Sequence, residues 1–114
     1  MQTIKRHEWG ARAPRNRTPL TNSVRGVALH WVGVKVSGDP LKLVKGIQTY
    51  HQDTRGWFDI AYNVACSQDG RAIECRGWRT RSGANGSSKL NRHYAAILCL
   101  IGPDQKPTDE MVDA

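Results

Sequence analysis

The sequence predicts a mixed α/β (α+β) domain in which a central mixed β-sheet is flanked by helices. Two short apolar, β-prone runs, Val27–Val32 and Ala95–Ile101, read as buried strands, stopped by Gly33 and by Gly102-Pro103. Between them lie one segment of helical spacing and one hairpin signal. The order strand, helix, hairpin, strand, helix builds a sheet that carries helices on its faces. At 114 residues the chain is expected to be one domain, 1–114, with a single modest core.

Taken in order, residues 1–25 are basic and broken by Pro14 and Pro19, so little regular structure is expected there, with Trp9 as the anchor. The run from Gly26 reads as a central strand, and His30 is its only strongly polar residue. After Gly38, Leu41, Val44, Ile47 and Tyr50 or His51 recur at helical spacing behind a capping Asp39 and a first-turn Pro40. Gly56 ends that helix, because a residue without Cβ turns left-handed cheaply. Ile60, Tyr62 and Val64 then alternate with Ala61 and Ala65, which predicts a strand over Asp59–Ser67 with Tyr62 on a rigid element. Gln68-Asp69-Gly70-Arg71 turns the chain into Ala72–Cys75. Residues 76–93 are too irregular for an element and too long for a simple connector, the kind of loop that often carries function. Pro107-Thr108-Asp109 opens a capped helix that reaches Ala114 within about two turns, so the domain is expected to be truncated before its C-terminal helix.

Composition narrows the function classes. With 39% apolar and 24% charged residues the chain is an ordinary globular one. A net charge of +7 favours polyanionic partners, whether nucleic acid, an anionic membrane or an acidic wall polymer. The three cysteines, Cys66, Cys75 and Cys99, form no CxxC pair, against both a disulfide framework and a zinc finger. With the turn centred on Asp69-Gly70, Cys66 and Cys75 share a face but stand diagonally, about 7–8 Å apart at Cα, beyond disulfide reach. All three are expected to be reduced and packed as small hydrophobes. The N-terminus has no apolar signal-peptide core and no run approaches a membrane span, so synthesis in the cytoplasm without a signal peptide and no membrane insertion are expected.

Several segments in fixed order carry a resemblance. These are Arg6-His-Glu-Trp-Gly-Ala-Arg12, Ala28-Leu-His-Trp31, His51 followed by Gly56-Trp-Phe-Asp-Ile-Ala-Tyr62, Asp69-Gly70 with Glu74-Cys-Arg-Gly-Trp78, and then Gly83-Ala84 with Asn91. Together they resemble the zinc-dependent N-acetylmuramoyl-L-alanine amidases of the phage endolysin and peptidoglycan-recognition protein superfamily. The resemblance implies the corresponding fold and a groove floored by a zinc ion. It implies His30 as the first metal ligand, Tyr62 as the catalytic hydroxyl facing the metal, and Trp31, Arg76, Trp78 and Asn91 as substrate-binding residues. The chemistry suits those residue types: a histidine on a strand is held in one orientation, and a catalytic zinc lowers the pKa of its water to about 7. A tyrosine can then donate to a developing oxyanion. This chain also departs from the pattern. The second histidine and a third cysteine or aspartate ligand are expected beyond Ala114, Asn85 stands where histidine is frequent, and Cys75 replaces a glycine.

The leading expectation is therefore a peptidoglycan hydrolase that cleaves the amide between N-acetylmuramic acid and L-alanine, as part of a phage lysin acting on the wall after release. Its expected partner is bacterial peptidoglycan, its cofactor Zn2+ and its state a monomer. Two alternatives stand beside it: a peptidoglycan-binding module without catalysis, and a basic nucleic-acid-binding domain, the last resting on charge alone. His51 is expected to fix the helix against the sheet, Trp57 and Asp59 to brace the strand entrance, with Asp59 accepting backbone or tryptophan N–H bonds, and His93 to be a solvated loop residue.

Overall fold

The computed structural model describes residues 2–20 and 24–113, so positions 1, 21–23 and 114 of the segments discussed above lie outside the described residues. Five strands form one sheet: β1 (Gln2–Ile4), β2 (Gly26–Trp31), β3 (Val64–Cys66), β4 (Arg71–Glu74) and β5 (Tyr94–Cys99), in the spatial order β1-β4-β3-β5-β2. The β3–β4 pair is antiparallel and the other pairs are parallel, which makes the mixed sheet that the sequence predicts. Helix α1 (Pro40–Thr49) covers one face, where Leu41, Val44 and Ile47 pack with Ile60, Ala65, Ile73, Leu98 and Leu100. On the other face Val64, Cys66 and Ala72 meet Met111 of the short α3 (Asp109–Asp113). A third helix, α2 (Ser88–His93), leads directly into β5. Among the described residues no helix is long and apolar enough to cross a membrane.

Local chemistry accounts for α1. Asp39 Oδ1 accepts from the Leu41 N–H at 2.9 Å, Pro40 occupies the first turn, and the helix runs through a wide π turn, Tyr50–Thr54, before Gly56 breaks it at φ +70°. Trp9 is the anchor expected of the N-terminal segment: it is buried, and its indole N–H donates to the Glu74 carbonyl at 2.8 Å. The structure adds two elements to that segment, β1 and a 3-10 turn over Arg6–Trp9.

Three expectations are corrected. First, the run 26–31 is an edge strand. Val27, Leu29 and Trp31 lie on the α3 face of the sheet, where the short α3 leaves them 52%, 63% and 64% exposed. An apolar run looks the same whether one face or both are buried. A cleft of about 750 Å³ follows this open face past Ile97, Cys99, Ile101 and Met111.

Second, Tyr62 lies outside any strand, because β3 begins only at Val64. Upstream of it backbone bonds continue, the Arg76 N–H donating to the Tyr62 carbonyl and the Asn63 N–H to the Ala96 carbonyl, both at 2.9 Å, and side chains add to them. The Asn63 amide accepts from the Ala96 N–H and donates to the Gly77 and Thr80 carbonyls, each at 2.8 Å, while Asp59 Oδ1 accepts from the Ile60 N–H.

Third, the hairpin turns around Asp69 alone, pairing Cys66 with Ala72. That is one residue out of the register expected from a turn centred on Asp69-Gly70, and a one-residue slip exchanges faces. Cys75 therefore lies in the core under α1 and Cys66 on the opposite side.

Candidate functional site

A groove of about 710 Å³ opens between the C-terminal end of α1 and the segment 81–91. Its wall begins with His51, held in the π turn. The Ala61 N–H donates to His51 Nδ1 at 3.0 Å, so the neutral ring carries its proton on Nε2. The ring lies 4.6 Å from that of Trp57 and 6.0 Å from that of Tyr62. Burial, and then the nearby Arg76 and Arg55 charges, lower the His51 pKa to about 4, so the ring is uncharged at neutral pH. Arg55 in turn lies 5.0 Å over the Trp57 ring.

Asp59 braces this wall from beneath. It is 3% exposed, pairs with Arg6 at 2.7 Å and accepts from the Gln48 amide at 2.9 Å, which ties α1 to the N-terminal segment. Arg76 crosses the floor, donating from Nε to the Ile60 carbonyl at 2.7 Å and from Nη1 to the Arg81 carbonyl at 2.9 Å. Burial pulls its pKa below the ordinary arginine value. Arg81 also lines the groove, and its Nε is buried without a partner among the described residues.

Tyr62 lies on the same floor, next to His30, with ring centroids 5.4 Å apart and edge to face. Burial raises the phenol pKa, so Tyr62 is protonated at neutral pH and can donate a hydrogen bond. His30 Nε2 lies 2.8 Å from Asn85 Oδ1. The Asn85 amide is fixed the right way round because Nδ2 donates to the Tyr94 carbonyl at 2.9 Å, which leaves Oδ1 as an acceptor and puts the His30 proton on Nε2. Asn91 supports this arrangement by accepting the Asn85 N–H at 2.9 Å.

Of the residues singled out in the sequence, Tyr62, Arg76 and Asn91 line one groove and His30 adjoins Tyr62. Trp31 and Trp78 are elsewhere. Trp31 points to the open face of β2, and Trp78 is 55% exposed beside a small cleft with Thr3 and Lys5. For Trp31 the reason is alternation, since neighbouring strand residues face opposite ways and His30 takes the groove side. The sequence reading missed α2, whose signal was Ser87 accepting from the Leu90 N–H at 3.1 Å, and it missed Ser82, whereas Arg81, which it offered as part of a groove wall, lines the groove. His93 is the last residue of α2, and its Nδ1 is buried without a partner rather than solvated.

A zinc ion needs three protein ligands to be held in a catalytic site. Among the described residues no three histidine, cysteine, aspartate or glutamate side chains converge. His30 offers only Nδ1, since Nε2 is committed to Asn85. The described residues by themselves do not supply the three ligands that the metal needs. What remains is a groove of hydrogen-bond donors, Tyr62 and two arginines, with Trp57 and Phe58 among its lining residues. Such a surface suits an elongated ligand that carries carboxylates.

No family model matches the chain. It is 33% identical over 78 residues to peptidoglycan-recognition protein SC2 of Drosophila melanogaster, covering 66% of this chain and 42% of that protein. It is 33% identical over 86 residues to peptidoglycan recognition protein 1 of Bos taurus, covering 73% and 45%. The chain thus spans less than half the length of these curated relatives. Among solved structures, Drosophila PGRP-LB superposes with a TM-score of 0.87 at 25% identity, covering 98% of this chain and 68% of that one. Peptidoglycan recognition protein LE, solved in complex with tracheal cytotoxin, a monomeric diaminopimelic acid-type peptidoglycan, gives 0.86 at 29% identity, covering 97% and 67%.

Proposed function

This chain belongs to the peptidoglycan-recognition protein family, and we propose that its groove binds a fragment of bacterial peptidoglycan. One observation carries the reading: a second arginine, Arg81, lines the groove that also presents Arg76 and Tyr62. A stem peptide supplies the carboxylates and carbonyls that such donors need, and guanidinium groups match carboxylates in geometry as well as charge. The relative solved with tracheal cytotoxin supports the ligand class.

Calorimetric titration of a soluble muropeptide into the chain tests this. Saturable binding is expected, weakened roughly tenfold by Arg81→Ala, the cost of one charge-assisted hydrogen bond. Failure to saturate, or an unchanged affinity in the variant, rejects the reading. Only the Arg81 carbonyl serves Arg76, so the substitution leaves that contact intact.

A second reading is hydrolysis of the N-acetylmuramoyl–L-alanine amide with Zn2+. The adjacency of His30 and Tyr62 favours it. The ligand count opposes it for these residues alone. Metal analysis of the chain after incubation with zinc, with His30→Ala as control, decides whether His30 is a ligand: equal zinc content in both removes it. The phage-lysin reading rests on the sequence alone, on motif order, an N-terminus without an apolar signal-peptide core and a basic composition, the relatives named above being insect and bovine.

A further inference from the structure

The face of the sheet turned away from α1 carries a pair of thiols. Cys66 of β3 and Cys99 of β5 are register partners on adjacent parallel strands. Neighbouring strands lie about 4.8 Å apart, inside the roughly 4.4–6.8 Å between Cα atoms that a disulfide spans. Both side chains pack in the cluster around Met111, and both border the open apolar cleft. Cys99 is the more accessible of the two. Cys75 is fully buried in the other core, where burial drives its thiol pKa far upward.

We propose that Cys66 and Cys99 form a cross-strand dithiol that a small-molecule disulfide such as oxidised glutathione converts into an intramolecular disulfide. The Cys99 thiolate attacks one sulfur of oxidised glutathione, giving a Cys99–glutathione mixed disulfide and releasing one glutathione, which takes up the proton that Cys99 lost. The Cys66 thiolate then attacks Cys99 Sγ and expels the second glutathione with a proton. The two cysteines lose two electrons and the glutathione disulfide gains them, so no other reactant is required. Burial raises the pKa of both thiols, which keeps the thiolate scarce at neutral pH. Closure therefore speeds up about tenfold per pH unit in that range. The bond joins β3 to β5 where the Leu100 N–H already donates to the Cys66 carbonyl at 2.9 Å. It also removes the half-buried Cys99 thiol from the rim of the cleft. The pair does not line the groove, so the proposal stands independently of what the groove binds.

The test treats the whole folded chain with oxidised glutathione at about pH 8, where thiolate is more abundant, then blocks free thiols and measures intact mass and peptide linkage. The expected product is lighter by two hydrogens, links the Cys66 and Cys99 peptides, and leaves Cys75 free. Cys75→Ala should close in the same way. Cys66→Ala, which keeps a small apolar side chain, should stop at a glutathione adduct on Cys99. A lasting adduct on Cys99 in the unsubstituted chain, a link through Cys75, a disulfide between two chains, or no reaction at all overturns the proposal. Circular dichroism of each variant before treatment ensures that only folded protein is compared.

Discussion

His51 serves structure and site at once, because its Nδ1 anchors the Ala61 N–H while its ring lines the groove beside Trp57. Its folded pKa of about 4 lies below the unfolded value of 6.5. Between those values the unfolded chain binds more protons, so this contribution is complete above about pH 6.5 and is lost as pH falls towards about 4. Urea titrations at about pH 7 and about pH 4.5 should differ by about 2 kcal/mol from this source. His51→Gln should be less stable at the higher pH but should flatten that slope, and an unchanged slope would show that other groups cause it. The Tyr62 hydroxyl is a cleaner probe of binding, since Tyr62→Phe keeps the ring against His30 and His51. Its muropeptide affinity should fall several-fold, by about 1 kcal/mol, with little change in melting temperature. The residue scale also shows what a sequence hides. That Asp39 caps a helix is legible, because the partner is two residues away. That the Asn63 side chain ties three segments together beside the strand is not, because its partners, Gly77, Thr80 and Ala96, come from other segments.

Among the elements, α1 was legible in full because cap, periodicity and stop are all local. The 3-residue β1 was not, because it exists only through parallel pairing with β4 far along the chain. The short α2 buries no residue, so no apolar stripe announced it. The junction after β5 is a sharper case. Gly102 passes so close to the 34–35 backbone that an added Cβ would meet the Val34 carbonyl oxygen and come within 2.8 Å of Lys35 Cα. Gln105 locks the same crossing by accepting from the Val36 and Gly102 N–H groups and donating to the Val36 carbonyl at 2.9 Å. Gly102→Ala should therefore cost about 3 kcal/mol, since backbone cannot yield as a side chain does. Gly56→Ala meets no atom within 4 Å and pays only for its φ of +70°, roughly 1–2 kcal/mol. Thermal melts of the two variants should rank them in that order, and the reverse order would mean that the crossing is looser than its geometry indicates.

At the scale of the whole molecule, the order of motifs along the chain was enough to reach the peptidoglycan-recognition protein family, though not the zinc amidase within it, whereas the exposure of the β2 side of the sheet was not legible. The sequence shows that Leu29 and Trp31 are apolar, not that the short α3 leaves them exposed. Charge poses the last question of scale. A net charge of +7 spread over the surface attracts any polyanion, but its effect is screened by salt. Arg76 is different: it is largely removed from water and hydrogen-bonded to the Ile60 and Arg81 carbonyls, so its action on a ligand in the groove is screened much less. Binding to duplex DNA should therefore be weak, indifferent to sequence, and reduced by orders of magnitude between about 50 and about 200 mM salt. Muropeptide affinity should change by no more than a few-fold across the same range. Measuring both by fluorescence anisotropy separates the two partners. A steep salt slope for the muropeptide would mean that surface charge rather than the groove holds it, while sequence-selective DNA binding that survives at the higher salt would transfer the function to nucleic acid.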